Sequence, residues 1–270
     1  SELSAPYLDR GTFFGDGVYE VIRSYDGRIF ALDEHLARFR RSLHEVHING
    51  PSIEVVRGRI LEAFERAGYV NARIYFHLTR GSEERNHLPS QGLQPNFFLT
   101  VGQLHDDPEA KNKGIAVSTQ PDWRWKRCDI KSLNLLPNVL ARIAAEKQGA
   151  SEAILVGDDG TITEGAGSAF FAIDAKEQAV ITRPLGHEIL PSITREKVLQ
   201  VVERAGLKAF ERTLTPQQAA DCDELFIAVT TKDIVPVTRF DGQIIGSGQC
   251  GPLTQKLVEE FKEFVRNTAR

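Results

Sequence analysis

The chain has no methionine, only three cysteines and only two tryptophans in 270 residues. Cys128, Cys222 and Cys250 are odd in number and widely scattered. They make neither a disulfide framework nor a metal-binding spacing, and they suit a reducing, cytoplasmic setting. The missing methionines include an initiator, and the chain opens on the loop-like Ser1-Glu2-Leu3-Ser4. A segment ahead of Ser1, or methionines dropped from the sequence, are both open readings. Long apolar runs are lacking too. Stretches such as Ala153-Ile154-Leu155-Val156 fall far short of the roughly 20 residues a membrane span requires. Nothing at the start resembles a secretory signal. Neither charge sign dominates: 33 Lys and Arg against 37 Asp and Glu leave a net charge of −4. That is no basic field for nucleic acid. What remains is an ordinary globular composition, 41% hydrophobic and 26% charged, long enough for one large or two medium domains.

Residues 18–25 alternate and are rich in β-formers, which predicts a strand. Asp26-Gly27 turns it into a second strand over 28–32. Asp33 is placed to cap a helix running to about Val46, with Leu36, Phe39 and Leu43 on one face. A second amphipathic helix spans 52–67 and is closed by Gly68. Strands follow at 71–79 and 96–102, separated by a polar loop over 80–94. A strand at 114–120 leads to an irregular stretch, 121–127. Residues 129–136 read as a short apolar strand, and Pro137 opens a helix ending at Gly149. Strands at 152–156, 161–164 and 169–173 precede a helix from Ser192 to Ala205. Strands at 224–229 and 234–240, with an Asp241-Gly242 hairpin turn, precede a terminal helix over 253–265. Strands and helices mix without strict βαβ alternation. This predicts two α+β domains, 1–119 and 129–270, joined by a crossing at 120–128.

Lys131 lies between apolar neighbours, so partial burial would favour its free amine, the form a Schiff-base lysine needs. The plain alternative is a surface lysine. Glu164 ends a strand before the glycine-rich turn Gly165-Ala166-Gly167-Ser168. It could pair with a protonated ring nitrogen, or simply face water. The turn itself offers amides and the Ser168 hydroxyl to an oxyanion, or is only a hairpin. Ile193 and Thr194 open a helix, where amides and dipole attract phosphate, and Thr230-Thr231 offer hydroxyls to the same anion. Arg38 could clamp a phosphate, or belong to a solvated basic face with Arg40 and Arg41. Arg85 and His87 lie two apart on the polar loop and could grip a carboxylate together. Otherwise they decorate a mobile surface loop. His44 and His47 have no third ligand spaced to join them, so no metal is expected, and His35 and His187 stand alone.

Taken in order, these stretches resemble the fold-type IV pyridoxal-phosphate-dependent aminotransferases, and within them the D-amino acid transaminases. The resemblance runs from about Asp9 to Phe264. It is carried by Phe14-Gly15-Asp16-Gly17-Val18-Tyr19-Glu20, the 128–136 run, Thr163-Glu164-Gly165, Ile189-Leu190-Pro191-Ser192-Ile193-Thr194-Arg195, and Asp223-Glu224-Leu225-Phe226 leading into Thr230-Thr231. It implies the two-domain D-amino acid aminotransferase-like fold, with the C-terminal domain carrying most of the pyridoxal 5′-phosphate site. It makes Lys131 the Schiff-base lysine and acid/base, and Glu164 the partner of the pyridine nitrogen. Leu190 becomes the apolar residue on the ring, and Arg38, Ile193, Thr194 and Thr231 the phosphate cup, with Ser168 beside it. Tyr19 and the Arg85-Asn86-His87 pair match the groups that hold the substrate α-carboxylate, the pair coming from the neighbouring subunit. A homodimer acting on an amino acid and a 2-oxo acid is therefore implied. The chain departs from the family at Ala166, where a hydroxyl residue is usual.

The reaction so implied is ping-pong transamination of a D-amino acid such as D-alanine with a 2-oxo acid such as 2-oxoglutarate. Three rivals share parts of the pattern: an aminodeoxychorismate lyase, a branched-chain aminotransferase, and a binding module holding the cofactor without turnover. The Arg85/His87 pair favours a small free α-carboxylate over the first, and the branched-chain enzymes lack that loop motif. The Lys131/Glu164 pair argues against the third.

Overall fold

The computed structural model describes residues 8–268, so the loop-like opening at residues 1–4 lies outside it. The chain divides into two units. One holds the described residues up to His105 together with Ile130–Leu135, and the other holds Asp106–Asp129 and Leu136–Thr268. The sequence put the first boundary at 119/120 and gave everything from 129 onward to the second domain. The structure divides the chain at His105 and hands Ile130–Leu135, Lys131 included, to the first unit.

In the first unit, α1 (Arg10–Phe14) precedes β1 (Gly17–Tyr25), β2 (Arg28–Ile29), α2 (Leu32–Glu45), α3 (Ile53–Ala67), β3 (Ala72–Thr79) and β4 (Asn96–Gln103). The strands form one antiparallel sheet in the order β2-β1-β3-β4. Alternation sorts the two faces. Val18, Ile22, Ile74, Phe76 and Leu78 form one core with Leu36, Phe39 and Leu43 of α2 and Val56 and Ile60 of α3. Phe39 and Phe76 meet edge to face with centroids 5.0 Å apart. Burying each such ring contributes about 1.5–3 kcal/mol. Ser52 caps α3, and Gly68, at φ 67, closes it where the sequence put the close.

Two expectations change here. The strand expected at 28–32 shrinks to β2, because Ala31 turns to φ 54 and becomes the N-cap of α2 without a side-chain bond. Asp33, the expected cap, falls inside the first turn and pairs with Arg57 at 2.5 Å, complementing the helix dipole instead. The stretch 129–136 is not a strand. It makes a single bridge, Ser132 to Val18, along the part of β1 that β2 leaves uncovered, since β2 pairs only with Ser24 and Tyr25. Tyr19 N donates to Lys131 O at 3.0 Å, and Leu133 N to Gly17 O at 3.0 Å. Gly17 is needed for this approach: a Cβ there would lie 2.7 Å from Leu78 O and 2.8 Å from Leu133 Cδ1.

The second unit runs α4 (Pro108–Lys113), β5 (Ile115–Pro121), α5 (Leu136–Lys147), β6 (Glu152–Val156), β7 (Ile162–Gly165), β8 (Ala169–Asp174), β9 (Ala179–Thr182), α6 (Ile193–Arg204), β10 (Lys208–Glu211), α7 (Pro216–Ala220), β11 (Glu224–Val229), β12 (Asp233–Phe240), β13 (Gln243–Ile244) and α8 (Pro252–Thr268). Its sheet has the order β10-β9-β8-β11-β12-β5-β6-β7, with β13 on β12. Only the β10/β9, β12/β5 and β5/β6 pairs are parallel. This mixed sheet is the α+β architecture expected, not a doubly wound one. Val117, Ile154, Phe170, Leu225, Val235 and Phe240 anchor its core. Phe171 and Phe226 stack at 4.6 Å between centroids. Ser192 caps α6 by accepting from Arg195 N at 3.1 Å. In this unit the sequence reading omitted α4, β9, β10 and α7, as it omitted α1 in the first, and α8 extends beyond the expected 253–265. Among the described residues no helix is long and apolar enough to cross a membrane.

Candidate active site

In the first unit, the backbone bonds to β1 set Lys131 beside Tyr19. Its amine lies 4.3 Å from the centre of the Tyr19 ring. Lys131 N also donates to Ser42 Oγ of α2 at 3.3 Å, so the residue is tied to both layers. Glu20, the next residue along β1, points to the opposite face and is fully buried. There Arg38 Nε donates to its Oε1 and Arg38 Nη2 to its Oε2, each at 2.7 Å. His35 Nδ1 lies 2.8 Å from Oε2. Burial alone would raise the Glu20 pKa, but the Arg38 charge and hydrogen bonds, helped by His35, hold it at about 2. Burial pushes His35 below its ordinary value against the pull of Glu20.

Arg38 therefore does not lie on a solvated basic face. It is buried, while Arg40 and Arg41 are exposed. His35, expected to stand alone, is one corner of the same cluster. Arg85 and His87 are exposed, and both lie against Phe14: the guanidinium carbon is 5.1 Å from the ring centre, and the imidazole centre 5.3 Å. Tyr75 and His77 share the Tyr19 face of the sheet and were missed. Tyr75 Oη lies 3.0 Å from His77 Nδ1, and the Tyr75 ring 5.9 Å from that of Tyr19. The period-two pattern of 72–79 put both on one face and could have flagged them.

In the second unit, Glu164 is buried at the end of β7 and accepts from Leu190 N at 3.1 Å and from Arg124 Nη1. Arg124 is shared with Asp122, taking Oδ1 through Nε at 2.9 Å and Oδ2 through Nη2 at 2.7 Å. Burial opposes the Arg124 charge, but Asp122 and Glu164 outweigh it and raise its pKa. Thr194 Oγ1, in the first turn of α6, lies 3.4 Å from Thr230 Oγ1. The segment from Leu190 to Thr194 thus links the buried acid to the paired hydroxyls at a helix start. Ile193 is buried, and Thr231 follows Thr230 after β11.

The glycine-rich turn is closed rather than open. Gly165 N donates to Ser168 O and Ala166 N to Ala153 O, each at 2.8 Å. The Ser168 hydroxyl donates to buried Glu152 at 3.3 Å, whose pKa burial raises. Two amides of this turn and the Ser168 hydroxyl are thus engaged by the hairpin, β6 and Glu152. His187, also expected alone, sits 3.1 Å from Asp129.

The family model for class IV amino-transferases matches residues 17–240. The chain belongs to the class IV aminotransferases. This class IV chain is 41% identical over 258 residues to the D-alanine aminotransferase of Bacillus licheniformis, covering 95% of this chain and 90% of that one. It is 38% identical over 270 residues to the D-alanine aminotransferase of Staphylococcus haemolyticus, covering 99% and 94%. Among solved structures, it matches a T.th. branched-chain amino acid aminotransferase with pyridoxamine 5′-phosphate at 26% identity and a TM-score of 0.90, covering 99% of this chain and 90% of that one. The Escherichia coli branched-chain enzyme shares the fold at a TM-score of 0.92, with 23% identity and coverage of 99% and 91%.

Pyridoxal 5′-phosphate is the cofactor of this class IV aminotransferase. The side chains fit it. Two carboxylates around one guanidinium leave the Arg124 cluster an excess negative charge, which suits a protonated pyridine nitrogen at Glu164. Hydroxyls beside a helix N-terminus suit a phosphate.

Proposed function

We propose that this enzyme transfers the amino group of a D-amino acid, D-alanine the leading candidate, to a 2-oxo acid such as 2-oxoglutarate, and that it works as a homodimer. The observation that carries the reading is the Lys131 amine held over the Tyr19 ring. It supports a proton-transfer role for Lys131 beside the ring of the residue assigned to the substrate carboxylate. When bound, the cofactor supplies an aldehyde that takes up the amino group and a ring that accepts electron density from Cα. Lys131 takes the Cα proton and redelivers it. Glu164, which accepts from Arg124, would pair with the protonated pyridine nitrogen. In this reading Arg38 would serve the phosphate, as would Ile193, Thr194, Thr230 and Thr231, Ser168 stays bonded to Glu152, and Leu190 would pack on the ring. Tyr19, with Arg85 and His87 of a second copy, fixes the carboxylate and so the face from which the proton leaves.

Support for a second copy comes from α5. Leu136, Val139, Leu140 and Ile143 follow the spacing of one helix face, yet are 68, 49, 45 and 44% exposed in the single chain. Incubation of the holoenzyme with D-alanine and 2-oxoglutarate is expected to yield pyruvate and D-glutamate. Turnover of L-leucine or release of pyruvate from aminodeoxychorismate, without D-alanine turnover, overturns the reading. Lys131→Ala and Arg85→Ala chains, each impaired alone, should regain activity when mixed, since a hybrid dimer contains one complete set of groups. Failure to complement removes the shared-site assembly.

A further inference from the structure

Arg10 is the first residue of α1 and is only 3% exposed. The reaction as assigned above gives it no role, yet both terminal nitrogens of its guanidinium are turned on the loop that carries Arg85 and His87. Nη1 donates to Asn86 O at 2.6 Å and to Glu83 Oε1 at 2.7 Å, and Nη2 donates to His87 O at 2.9 Å. Nε donates to Asp16 Oδ2 at 2.8 Å, an oxygen that also accepts from Arg80 Nε at 2.8 Å. The Arg10 backbone joins in, its amide donating to Gly81 O at 2.9 Å. Glu83 extends the brace, its Oε2 accepting from Ser90 N at 3.2 Å.

The geometry follows from the guanidinium's planar fork of donors. Two of its arms draw successive carbonyls, those of Asn86 and His87, toward one buried point. The neighbouring side chains Arg85 and His87 are left outside, both against Phe14, which stands one helical turn from Arg10 on α1. The Arg10 guanidinium carbon itself lies 4.9 Å from that ring.

We infer that Arg10 is a positioning residue for carboxylate recognition: a buried strut, closed by Glu83, that fixes the spacing of Arg85 and His87. The inference rests on the reading that these two side chains hold the substrate carboxylate. A carboxylate held equally in ground and transition states contributes to KM rather than kcat. Lysine at position 10 keeps the charge but cannot span the same acceptors from one point.

The test is steady-state kinetics of holoenzyme with D-alanine and 2-oxoglutarate, for Arg10→Lys, Arg85→Ala, His87→Ala and the Arg10→Lys/Arg85→Ala double variant. Arg10→Lys is expected to raise both KM values about tenfold or more while kcat stays within about threefold. The double variant is expected to be little worse than Arg85→Ala alone, since a strut has nothing left to position. A wild-type KM in Arg10→Lys, with KM raised in Arg85→Ala, overturns the strut but leaves the carboxylate reading standing. Effects that multiply in the double variant also overturn it. Unchanged KM in both Arg85→Ala and His87→Ala overturns the carboxylate reading and the strut with it. If Arg10→Lys does not fold, Glu83→Gln, which removes one arm of the brace, reads the same KM-against-kcat split.

Discussion

Each unit buries an arginine against a carboxylate, yet the two clusters balance their charge differently. In the first, one carboxylate, Glu20, takes two arms of Arg38 and the His35 ring, so with His35 neutral the charges cancel. In the second, one guanidinium, Arg124, serves two carboxylates, Asp122 and Glu164, and a negative charge is left over. Burial is nearly the same, with Arg38 6% and Arg124 8% exposed at the side chain. The contrast teaches that two equally buried arginines can differ in how many carboxylates each serves. The closed cluster holds α2 to β1. The second, with two carboxylates on one guanidinium, suits the protonated ring nitrogen proposed for Glu164.

Breaking the closed cluster should have the largest effect. Glu20→Gln takes from the buried Arg38 charge the carboxylate that accepts from its Nε and Nη2, at a cost of about 3–5 kcal/mol in unfolding free energy, read by denaturant titration. A loss below about 1 kcal/mol would mean that Arg38 is held by other groups. Acid should act on the same cluster. Glu20 titrates at about 2 in the folded chain against an ordinary 4.5, so its contribution is complete above pH 4.5 and drains away as pH falls toward 2. That shift corresponds to about 3 kcal/mol. His35, depressed by burial, acts in the same sense, its share fading as pH falls below 6.5. Glu152 in the second unit has a raised pKa and works oppositely, favouring the fold as pH falls. Stability measured from pH 7 to 3 should therefore fall less steeply in Glu20→Gln than in wild type. Parallel curves would refute the assignment.

The charge-unbalanced cluster should respond in activity instead. Glu164→Gln is expected to lower kcat about a hundredfold by removing charge stabilisation at the ring nitrogen. Its melting temperature should stay close to wild type, since Arg124 keeps Asp122. A variant that loses stability but retains kcat would reverse the roles of the two clusters.

Much of this was legible in the chain, but unevenly. Order and spacing of motifs around Lys131, Glu164 and Thr230-Thr231 carried the family, and the helix close at Gly68 and the helix start at Ser192 were placed correctly because cap signals are local. The closed cluster was legible in principle. Glu20 falls on the apolar face of β1 between Val18 and Ile22, and His35 and Arg38 share the face of Leu36 and Phe39. Its members are distant in sequence, however, so no local pattern pairs them. Lys131 was misplaced on a strand because its neighbours are apolar. The actual cause of its position is the free edge of β1, a tertiary feature. β10 (KAFE) is wholly exposed and becomes a strand only by pairing with β9. α7 was overlooked despite a complete capping box, Thr215 with Gln218.

The smallest expected effect tests whether the second unit's anion site depends on helix geometry or on hydroxyls alone. Ser192→Ala removes the acceptor for Arg195 N and should cost about 1 kcal/mol of stability. It leaves Thr194, Thr230 and Thr231 in sequence but loosens the turn that presents Ile193 and Thr194. If oriented amides at the start of α6 contribute to phosphate binding, the variant's dissociation constant for pyridoxal 5′-phosphate should rise about two- to tenfold, followed by absorbance titration of the apoenzyme. Thr230→Val, by contrast, removes a hydroxyl and leaves the cap intact. Equal weakening in both variants indicates that helix start and hydroxyls act as one cup. Weakening in Thr230→Val alone assigns the phosphate to the side chains and reduces α6 to their support.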